Sequence, residues 1–338
     1  MGSIKMEGLL KKLFSKSGDS DKCAELPNFV IVGFGKCGTT SLHYALRGHP
    51  DICLVRSKEA HFFDIDSEYQ QGVPYYLEKH FPHYNGEKAI GDITPAYVFY
   101  EKALPRIRDI LGDDVKIIVI MRHPVIRAFS HYIHSIRISE DKDKFLDEQG
   151  DIVNPLYKNV SMYSQSLKNL YRIFPKENIL PLVFERDVLQ EGANVACRKI
   201  EDFLGVPHHD VESLNTEFAK GYLASVTVLD RKGYIELKGK RTNFNPCDVV
   251  IEHIRKPEGY YFECLKDLAP TEMAWYKKYP KNITTSLSRE DVKEVYNRMY
   301  KADAVEVSKL TGADVTLWDD IDDAGDYEII SSRLQYEN

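Results

Sequence analysis

Apolar residues form a short continuous run near the start of the chain, and a glycine-rich turn follows it. The run is NFVIVG at 28–33, and the turn leads into a helical pattern from about Thr39 to about Arg47. A continuous apolar run is typical of a strand that is buried on both faces of a parallel sheet. The pattern therefore predicts a strand, a tight turn and a helix.

A second unit of the same kind lies further along the chain. VKIIVIM at 115–121 predicts a strand, Arg122 and His123 form the turn, and Pro124 begins a helix that ends near Arg137. Proline is favoured at the first position of a helix because its missing N–H is not needed there.

A third strand is predicted at 178–184, between a helix at 162–173 and a helical segment at 192–204 that ends at Gly205. A last helix is predicted at 288–312. Strands that alternate with helices indicate an α/β fold with a central parallel sheet flanked by helices in three layers. The glycine-rich turn makes this predicted fold P-loop-like.

The predicted elements indicate one domain at 28–318, with a flexible basic leader at 1–27 and an acidic tail at 319–338. Residues 221–282 show no clean period, and we interpret them as an insertion or a substrate-facing lobe. Within the leader, 4–16 is basic and amphipathic. A frayed segment is favoured there over contact with a membrane surface.

The composition adds limits on the partners and the compartment. The formal net charge of −7 argues against nucleic acid, because binding to a phosphate backbone needs a basic face. The six cysteines include no CxxC pair and no metal-ligand spacing, so free thiols in a reduced compartment are expected. No apolar run approaches the length of a spanning helix. We expect a cytoplasmic protein without a transmembrane segment, and the sequence carries no signal of its oligomeric state.

The glycine-rich turn is close to a nucleotide-binding Walker loop, but its lysine is displaced. Gly33 and Gly38 have the Walker spacing, whereas Lys36 precedes the second glycine and Thr39 takes the usual lysine position. From that place, Lys36 can stand over the bond between a 5′-phosphate and a leaving group, where it stabilises the negative charge that grows as the bond breaks. A donor with one phosphate and one transferable group, bound without an obligatory metal, fits this loop.

The second turn supplies groups for another phosphate. Arg122 at the strand end and Ser130 two helical turns later are expected to converge on it, with Arg127 as a further candidate. Ligands of parallel α/β sheets bind beyond the carboxyl ends of the strands. Both turns are therefore expected to face one crevice.

Four motifs together resemble one enzyme family. GFGKCGTTSL at 33–42 and RHPVIRAFSHY at 122–132 resemble the two cofactor motifs of sulfotransferases that use 3′-phosphoadenosine 5′-phosphosulfate (PAPS). KEAHFFD at 58–64 and GDITPAYVFY at 91–100 resemble the heparan sulfate and carbohydrate branch of that family.

The resemblance, which covers about 28–208 well and 285–318 moderately, implies the roles of the cofactor-binding residues. Lys36 would be the catalytic lysine, and Arg122 and Ser130 would bind the 3′-phosphate. The residues implied around the 5′-phosphosulfate are Gly35, Lys36, Cys37, Gly38, Thr39, Thr40 and Ser41. The product would be 3′-phosphoadenosine 5′-phosphate (PAP).

The resemblance also implies that Glu59 is the base that removes the proton of the acceptor hydroxyl, with Asp64 as a supporting acid. His61 is an alternative base because imidazole titrates near neutrality, although a half-buried structural role is favoured for it. Phe62 is interpreted as a core residue that could also line the acceptor cleft.

Two segments depart from the family pattern or leave alternatives open. Asp92 is assigned to the acceptor site, but Ile93 stands where the carbohydrate branch often has a lysine near the transferred sulfate, so the contacts of the sulfate or the acceptor must differ. A late basic loop typically covers the cofactor. Residues 238–241 compete for that role with Lys277 and Lys278, which are slightly favoured because they lie just before the last helix.

The function predicted from these motifs is transfer of a sulfuryl group from PAPS to a hydroxyl, or less often an amine, of a small polar metabolite or a saccharide. A polymeric glycan acceptor and a catalytically silent module that binds nucleotide or glycan are the alternatives. A magnesium-dependent kinase is disfavoured because the Walker lysine is missing.

Overall fold

The computed structural model describes residues 25–56, 58–138, 144–190, 193–210, 287 and 289–319, together with five strands between 227 and 262. The chain divides into two compact units. The first comprises Met1–His123, Met162–Leu214 and Ala302–Val315, and the second comprises Pro124–Ser161, Asn215–Lys301 and Thr316–Asn338. Nearly all of the predicted leader and tail lies outside the described residues, so the division into leader, domain and tail stays a prediction.

The first unit contains a five-stranded parallel sheet with the order β2-β3-β1-β4-β5. The strands are β1 Phe29–Gly33, β2 Ile52–Leu54, β3 Ala89–Ile93, β4 Lys116–Met121 and β5 Ile179–Val183. The apolar runs correctly predict β1, β4 and β5, and the predicted α/β fold is confirmed. Every residue of β1 is buried, as expected for a central strand with both faces covered.

The hydrophobic pattern does not predict β2 and β3. The first of these has only three residues, and the second, AIGDI, is interrupted by Gly91 and Asp92. Tertiary contacts explain both exceptions in β3. A Cβ at Gly91 would lie 2.1 Å from the ring of Phe29, and Asp92 is fully buried among hydrogen-bond donors.

Ten α-helices lie among the described residues. They are α1 Thr39–Leu46, α2 Asp66–Tyr69, α3 Gly72–His80, α4 Ala103–Leu111, α5 Pro124–Ile138, α6 Pro155–Asn159, α7 Tyr163–Ile173, α8 Ala193–Leu204, α9 Arg289–Val295 and α10 Lys301–Thr311. The predicted bounds of α1, α5, α7 and α8 are confirmed to within one residue. The last predicted helix is divided by a π-helical turn, Tyr296–Tyr300, between α9 and α10.

The second unit contains α5, α6 and α9 and two antiparallel sheets. The strands are β6 Thr227–Leu229 and β7 Ile235–Glu236 in one sheet, and β8 Arg241–Phe244, β9 Val249–Lys256 and β10 Gly259–Phe262 in the other. All five lie in the region 221–282 for which the sequence shows no clean period. Aromatic rings form part of the core of this unit, and those of Phe129 and Phe145 have centroids 5.1 Å apart.

The described part of the chain includes three cysteines, and its helices and metal-ligating side chains can be assessed in the same way. There, Cys53 and Cys197 are free and buried, and Cys37 is buried. Across the same residues, no helix combines the length and the apolar character needed to cross a bilayer, and no His, Cys, Asp and Glu side chains form a group of three suited to a metal ion.

Candidate active site

The turn between β1 and α1 has an open face. Gly38 has φ 87°, which favours glycine, and a Cβ there would lie 2.4 Å from the ring of Phe184. A Cβ at Gly35 would meet no atom within 4 Å, so space remains beside the turn. The N-cap residue of α1 is Gly38, which has no side chain to cap the helix. Its first backbone N–H groups are therefore available to an anion.

The two glycines give opposite expectations for substitution by alanine. We expect Gly38→Ala to lower the free energy of unfolding by about 2 kcal/mol or more, because the left-handed backbone is strained for alanine and the new Cβ meets Phe184. Gly35→Ala is the matched control and should change it by less than about 0.5 kcal/mol. Urea denaturation of both variants measures the difference. Equal stabilities would contradict this account of the turn.

The other side chains of the loop divide into buried and accessible ones. Thr39 and Ser41 are buried, and Thr40 is partly exposed. Cys37 is fully buried, with its Sγ 3.9 Å from the hydroxyl oxygen of Tyr163, and its part in binding a ligand stays a prediction. Lys36 is half-buried and has φ 72°, an uncommon backbone conformation for a residue with a side chain.

Arg122 lies beside this loop, because β4 pairs with β1 in parallel. Its Nη1 is 3.5 Å from the carbonyl oxygen of Lys36, and its guanidinium lies 4.9 Å from the ring centre of Phe184. The buried Nε has no hydrogen-bond partner among the described residues. The structure thus brings together the two turns that the sequence predicts to meet, and it leaves a cationic donor at their junction.

Two aromatic residues that the sequence analysis does not identify hold this arrangement. Phe184 lies between Gly38 and Arg122, and Tyr163 donates a hydrogen bond of 2.7 Å to the carbonyl oxygen of Arg122. The ring of Tyr163 also packs against Phe34, with the centroids 4.5 Å apart. The position of Phe184 directly after β5, at the carboxyl edge of the sheet, is the signal that could have identified it.

The remaining predicted cofactor-binding residues belong to the second unit or lie outside the described residues. Ser130 and Arg127 are on α5 in the second unit, where both are buried and Arg127 is 3.3 Å from the hydroxyl oxygen of Ser161. Their part in binding a 3′-phosphate stays a prediction. Lys277, Lys278 and residues 238–240 lie outside the described residues.

A second cluster of polar groups lies at the carboxyl end of β3, the other neighbour of β1. The backbone N–H of Glu59 donates to the carbonyl oxygen of Ile93 at 3.0 Å, which fixes the cluster at this edge of the sheet. The Oε2 of Glu59 is 3.6 Å from the Nε2 of His61, and the Nδ1 of His61 is 2.8 Å from the Oδ2 of Asp64. Lys58 contacts the other carboxylate oxygen of Glu59.

The protonation states follow from these contacts. Burial raises the pKa of Glu59, but hydrogen bonding to His61 and the charge of Lys58 outweigh it and lower the pKa to about 2. Hydrogen bonds to Asp64 and then to Glu59 raise the pKa of His61 to about 10, against the effect of burial. At neutral pH, Glu59 is therefore ionised and His61 is an imidazolium. Of the two candidate bases, only Glu59 is free of a proton.

Asp92 and Phe62 are placed in the core. Both have 0% exposure. The carboxylate of Asp92 accepts hydrogen bonds from the hydroxyl groups of Tyr76, Tyr97 and Thr94 at 2.7 to 2.8 Å. Burial raises its pKa to about 6 despite these bonds.

These contacts agree with the interpretation of Phe62 as a core residue, and the assignment of Asp92 to the acceptor site stays a prediction. Phe62 stacks on Tyr76 with ring centroids 4.3 Å apart, so neither Phe62 nor Asp92 presents a surface to an acceptor in this structure. Asp64 is 2% exposed and acts on His61, and a buried oxygen of its carboxylate has no partner among the described residues. His61 and Glu59 are about one-third exposed and form the accessible part of the cluster.

Comparisons with known proteins were consistent with this geometry. A model of the sulfotransferase domain family matches residues 26–232. The chain is 32% identical over 155 residues to "Membrane-associated sulfotransferase kil1" of Dictyostelium discoideum. The aligned segment covers 42% of this chain and 32% of that protein. It is 30% identical over 197 residues to "Heparan sulfate glucosamine 3-O-sulfotransferase 5" of Homo sapiens. The aligned segment covers 55% of this chain and 56% of that protein.

A solved structure supports the same fold. The crystal structure of a sulfotransferase from Alicyclobacillus acidocaldarius aligns with a TM-score of 0.56 and 22% identity over 87% of this chain and 99% of that one. At this identity the likeness concerns the fold alone. The chain spans between a third and just over a half of the length of these two curated relatives.

Proposed function

We propose that this chain, which belongs to the sulfotransferase domain family, transfers the sulfuryl group of PAPS to a hydroxyl group of a saccharide. The observation that carries the proposal is the position of two sites at one edge of the sheet. The open loop after β1 and the Glu59 cluster after β3 flank each other, because β1 and β3 are adjacent parallel strands. One site suits an anionic donor and the other suits an acceptor hydroxyl.

The described residues around the loop fit the donor. Gly35 leaves space for a phosphate, the uncapped start of α1 offers backbone N–H groups, and the buried Nε of Arg122 has an unused hydrogen. Thr40 and Lys36 add a hydroxyl and an ammonium. PAPS supplies an activated sulfuryl group, and the protein residues supply its binding and the neutralisation of its charge.

The transfer assigns one task to each of two residues. The acceptor oxygen forms a bond to sulfur while the bond from sulfur to the bridging oxygen of the 5′-phosphate breaks, and the electron pair of that bond stays on the phosphate. Lys36 stabilises this negative charge. Glu59 takes the proton of the acceptor hydroxyl. His61, held by Asp64, orients the carboxylate of Glu59 and keeps its charge compensated.

A saccharide is proposed as the acceptor because the relatives at about 30% identity are named for glucosamine sulfation. A small polar metabolite is the alternative with the same chemistry. The formal net charge of −7 favours a short or weakly charged saccharide over a long polyanion. A cytoplasmic location stays a prediction.

The first test is binding of the purified chain to PAP without metal, measured by calorimetry beside ATP with magnesium. We expect PAP to bind and Arg122→Ala to weaken it by about tenfold or more, because a charged hydrogen bond is lost. The control is Arg108→Ala, at an exposed arginine whose nearest carboxylates are 3.8 and 4.0 Å away.

Turnover is then measured as PAP release from PAPS in the presence of desulfated glucosamine oligosaccharides or small polyols. Release that depends on an oligosaccharide supports the proposal. Binding of PAP with no release for any acceptor would contradict transfer and indicate a silent binding module. Binding of magnesium ATP in place of PAP would contradict the choice of donor.

A further inference from the structure

Lys58 is a partly buried cation next to the proposed base. Its side chain is only 16% exposed, and its Nζ contacts the Oε1 of Glu59. The Oε2 of the same carboxylate faces the imidazolium of His61 at 3.6 Å. Each oxygen of Glu59 therefore has a cation of its own. One cation, His61, is already held by Asp64 at 2.8 Å, whereas Lys58 pairs with no second carboxylate among the described residues.

Backbone hydrogen bonds connect the segment around Lys58 to β1, the strand that leads into the donor loop. Glu59 bonds through its backbone to Ile93, and the next residue of that strand end, Thr94, bonds to Ile31 of β1 at 3.2 Å. Ile93 is apolar and fully buried, so β3 itself ends without a charge at this place. Burial, and then the charge of Lys58, lowers the pKa of His43 on α1 to about 4. The backbone bonds place Glu59 and its neighbour Lys58 at the carboxyl end of β3, beside the strand that leads into the donor loop.

The pairing of Lys58 with Glu59 makes the carboxylate of Glu59 a weaker base. A carboxylate with a pKa of about 2 is ionised but binds a proton weakly, so it is a poor base while both cations remain on it. A cation that leaves the carboxylate as the reacting groups assemble would make it a stronger base. A sulfuryl group carries anionic oxygens that attract an ammonium group.

We infer that Lys58 changes partners during the reaction, from the carboxylate of Glu59 in the free protein to the oxygens of the sulfuryl group in the loaded one. This inference rests on the proposed function. In the new position, Lys58 neutralises the group in transfer, and Glu59 is left with His61 alone. No bond to Lys58 forms or breaks, and its proton stays on its nitrogen. One lysine thereby couples the arrival of the donor to the activation of the base.

The test compares PAPS with PAP, which lacks the sulfuryl group, by calorimetry without an acceptor. We expect Lys58→Met to weaken the binding of PAPS by about tenfold or more, because only PAPS has the group that Lys58 contacts. The affinity for PAP should be nearly unchanged. Lys58→Arg keeps the charge and should retain most of the preference. Lys79→Met is the matched control, since Lys79 forms an exposed ion pair of 2.7 Å with Glu68.

A second readout is the pKa of Glu59, followed by carbon NMR of labelled carboxyl groups. We expect Lys58→Met to raise this pKa in the free protein by about one pKa unit or more. PAPS should raise it more in the wild-type protein than in Lys58→Met, because only the wild-type protein has a lysine to release. Thermal unfolding shows whether each variant is folded.

The outcomes separate this inference from the proposed function. If the wild-type protein binds neither PAP nor PAPS, the proposed function fails and the inference fails with it. If the wild-type protein binds both and Lys58→Met weakens both equally or neither, the proposed function survives and Lys58 is only a structural partner of Glu59. An equal effect of PAPS on Glu59 in both proteins would also overturn the inference.

Discussion

Replacement of Lys36 by methionine is expected to lower the turnover number by about 100-fold to 1000-fold, the usual effect of removing one donor that stabilises charge in a transition state. Binding of PAP should weaken by less than about tenfold, since Arg122 and the backbone of the loop remain. Turnover is measured as PAP release from PAPS with the best acceptor found, and binding by calorimetry.

Methionine is a suitable replacement because it keeps an unbranched side chain of similar length. The left-handed backbone at this position, φ 72°, is then equally strained in both proteins, so the free energy of unfolding should change little. Lys79→Met, at an exposed lysine, is the control for loss of a positive charge. Full turnover in Lys36→Met, or a loss of PAP binding as large as the loss of turnover, would show that Lys36 does not act on the leaving phosphate.

Replacement of Glu59 by glutamine should be comparably severe. We expect the turnover number to fall by about 100-fold to 10,000-fold, because an amide does not accept the proton of the acceptor hydroxyl. The KM for PAPS should change little. Glutamine has nearly the same shape, so packing around the cluster is retained. Glu68→Gln, at a partly exposed glutamate that also pairs with a lysine, is the matched control. Wild-type turnover in Glu59→Gln would exclude Glu59 as the base.

The pH dependence distinguishes Glu59 from His61 as the base. The pKa of Glu59 lies below its ordinary value, so its contribution to stability is present above pH 4.5 and is lost as the pH falls towards about 2. The pKa of His61 is raised, so its contribution is present below pH 6.5 and is lost as the pH rises through about 10. Neither group should titrate between about pH 5.5 and about pH 8.5. Proton NMR of the imidazole signals checks this, and a midpoint for His61 near 6.5 would contradict it.

Local sequence signals were sufficient for the donor loop. A strand that is buried on both faces must be a continuous apolar run, a turn this tight needs glycine, and the helix that follows shows its own period. These constraints act on neighbouring residues, so 28–47 and 115–137 predict their own structures and Lys36 and Arg122 can be located without any long-range information. The resemblance of Glu59, His61 and Asp64 to a family motif placed the second site.

Local patterns in the sequence predict the parallel sheet, the displaced lysine and the family. The protonation states of the proposed catalytic groups depend on the folded structure. The folded loop brings the side chains of Lys58, Glu59, His61 and Asp64 into contact, and these contacts set the protonation states of Glu59 and His61. Asp92 becomes a core residue because the fold surrounds it with three hydroxyl groups. Phe184 follows directly after β5 and reaches the donor loop although it is more than a hundred residues away in the chain. Burial and electrostatic effects depend on every neighbour in space, so no local pattern of residues predicts them.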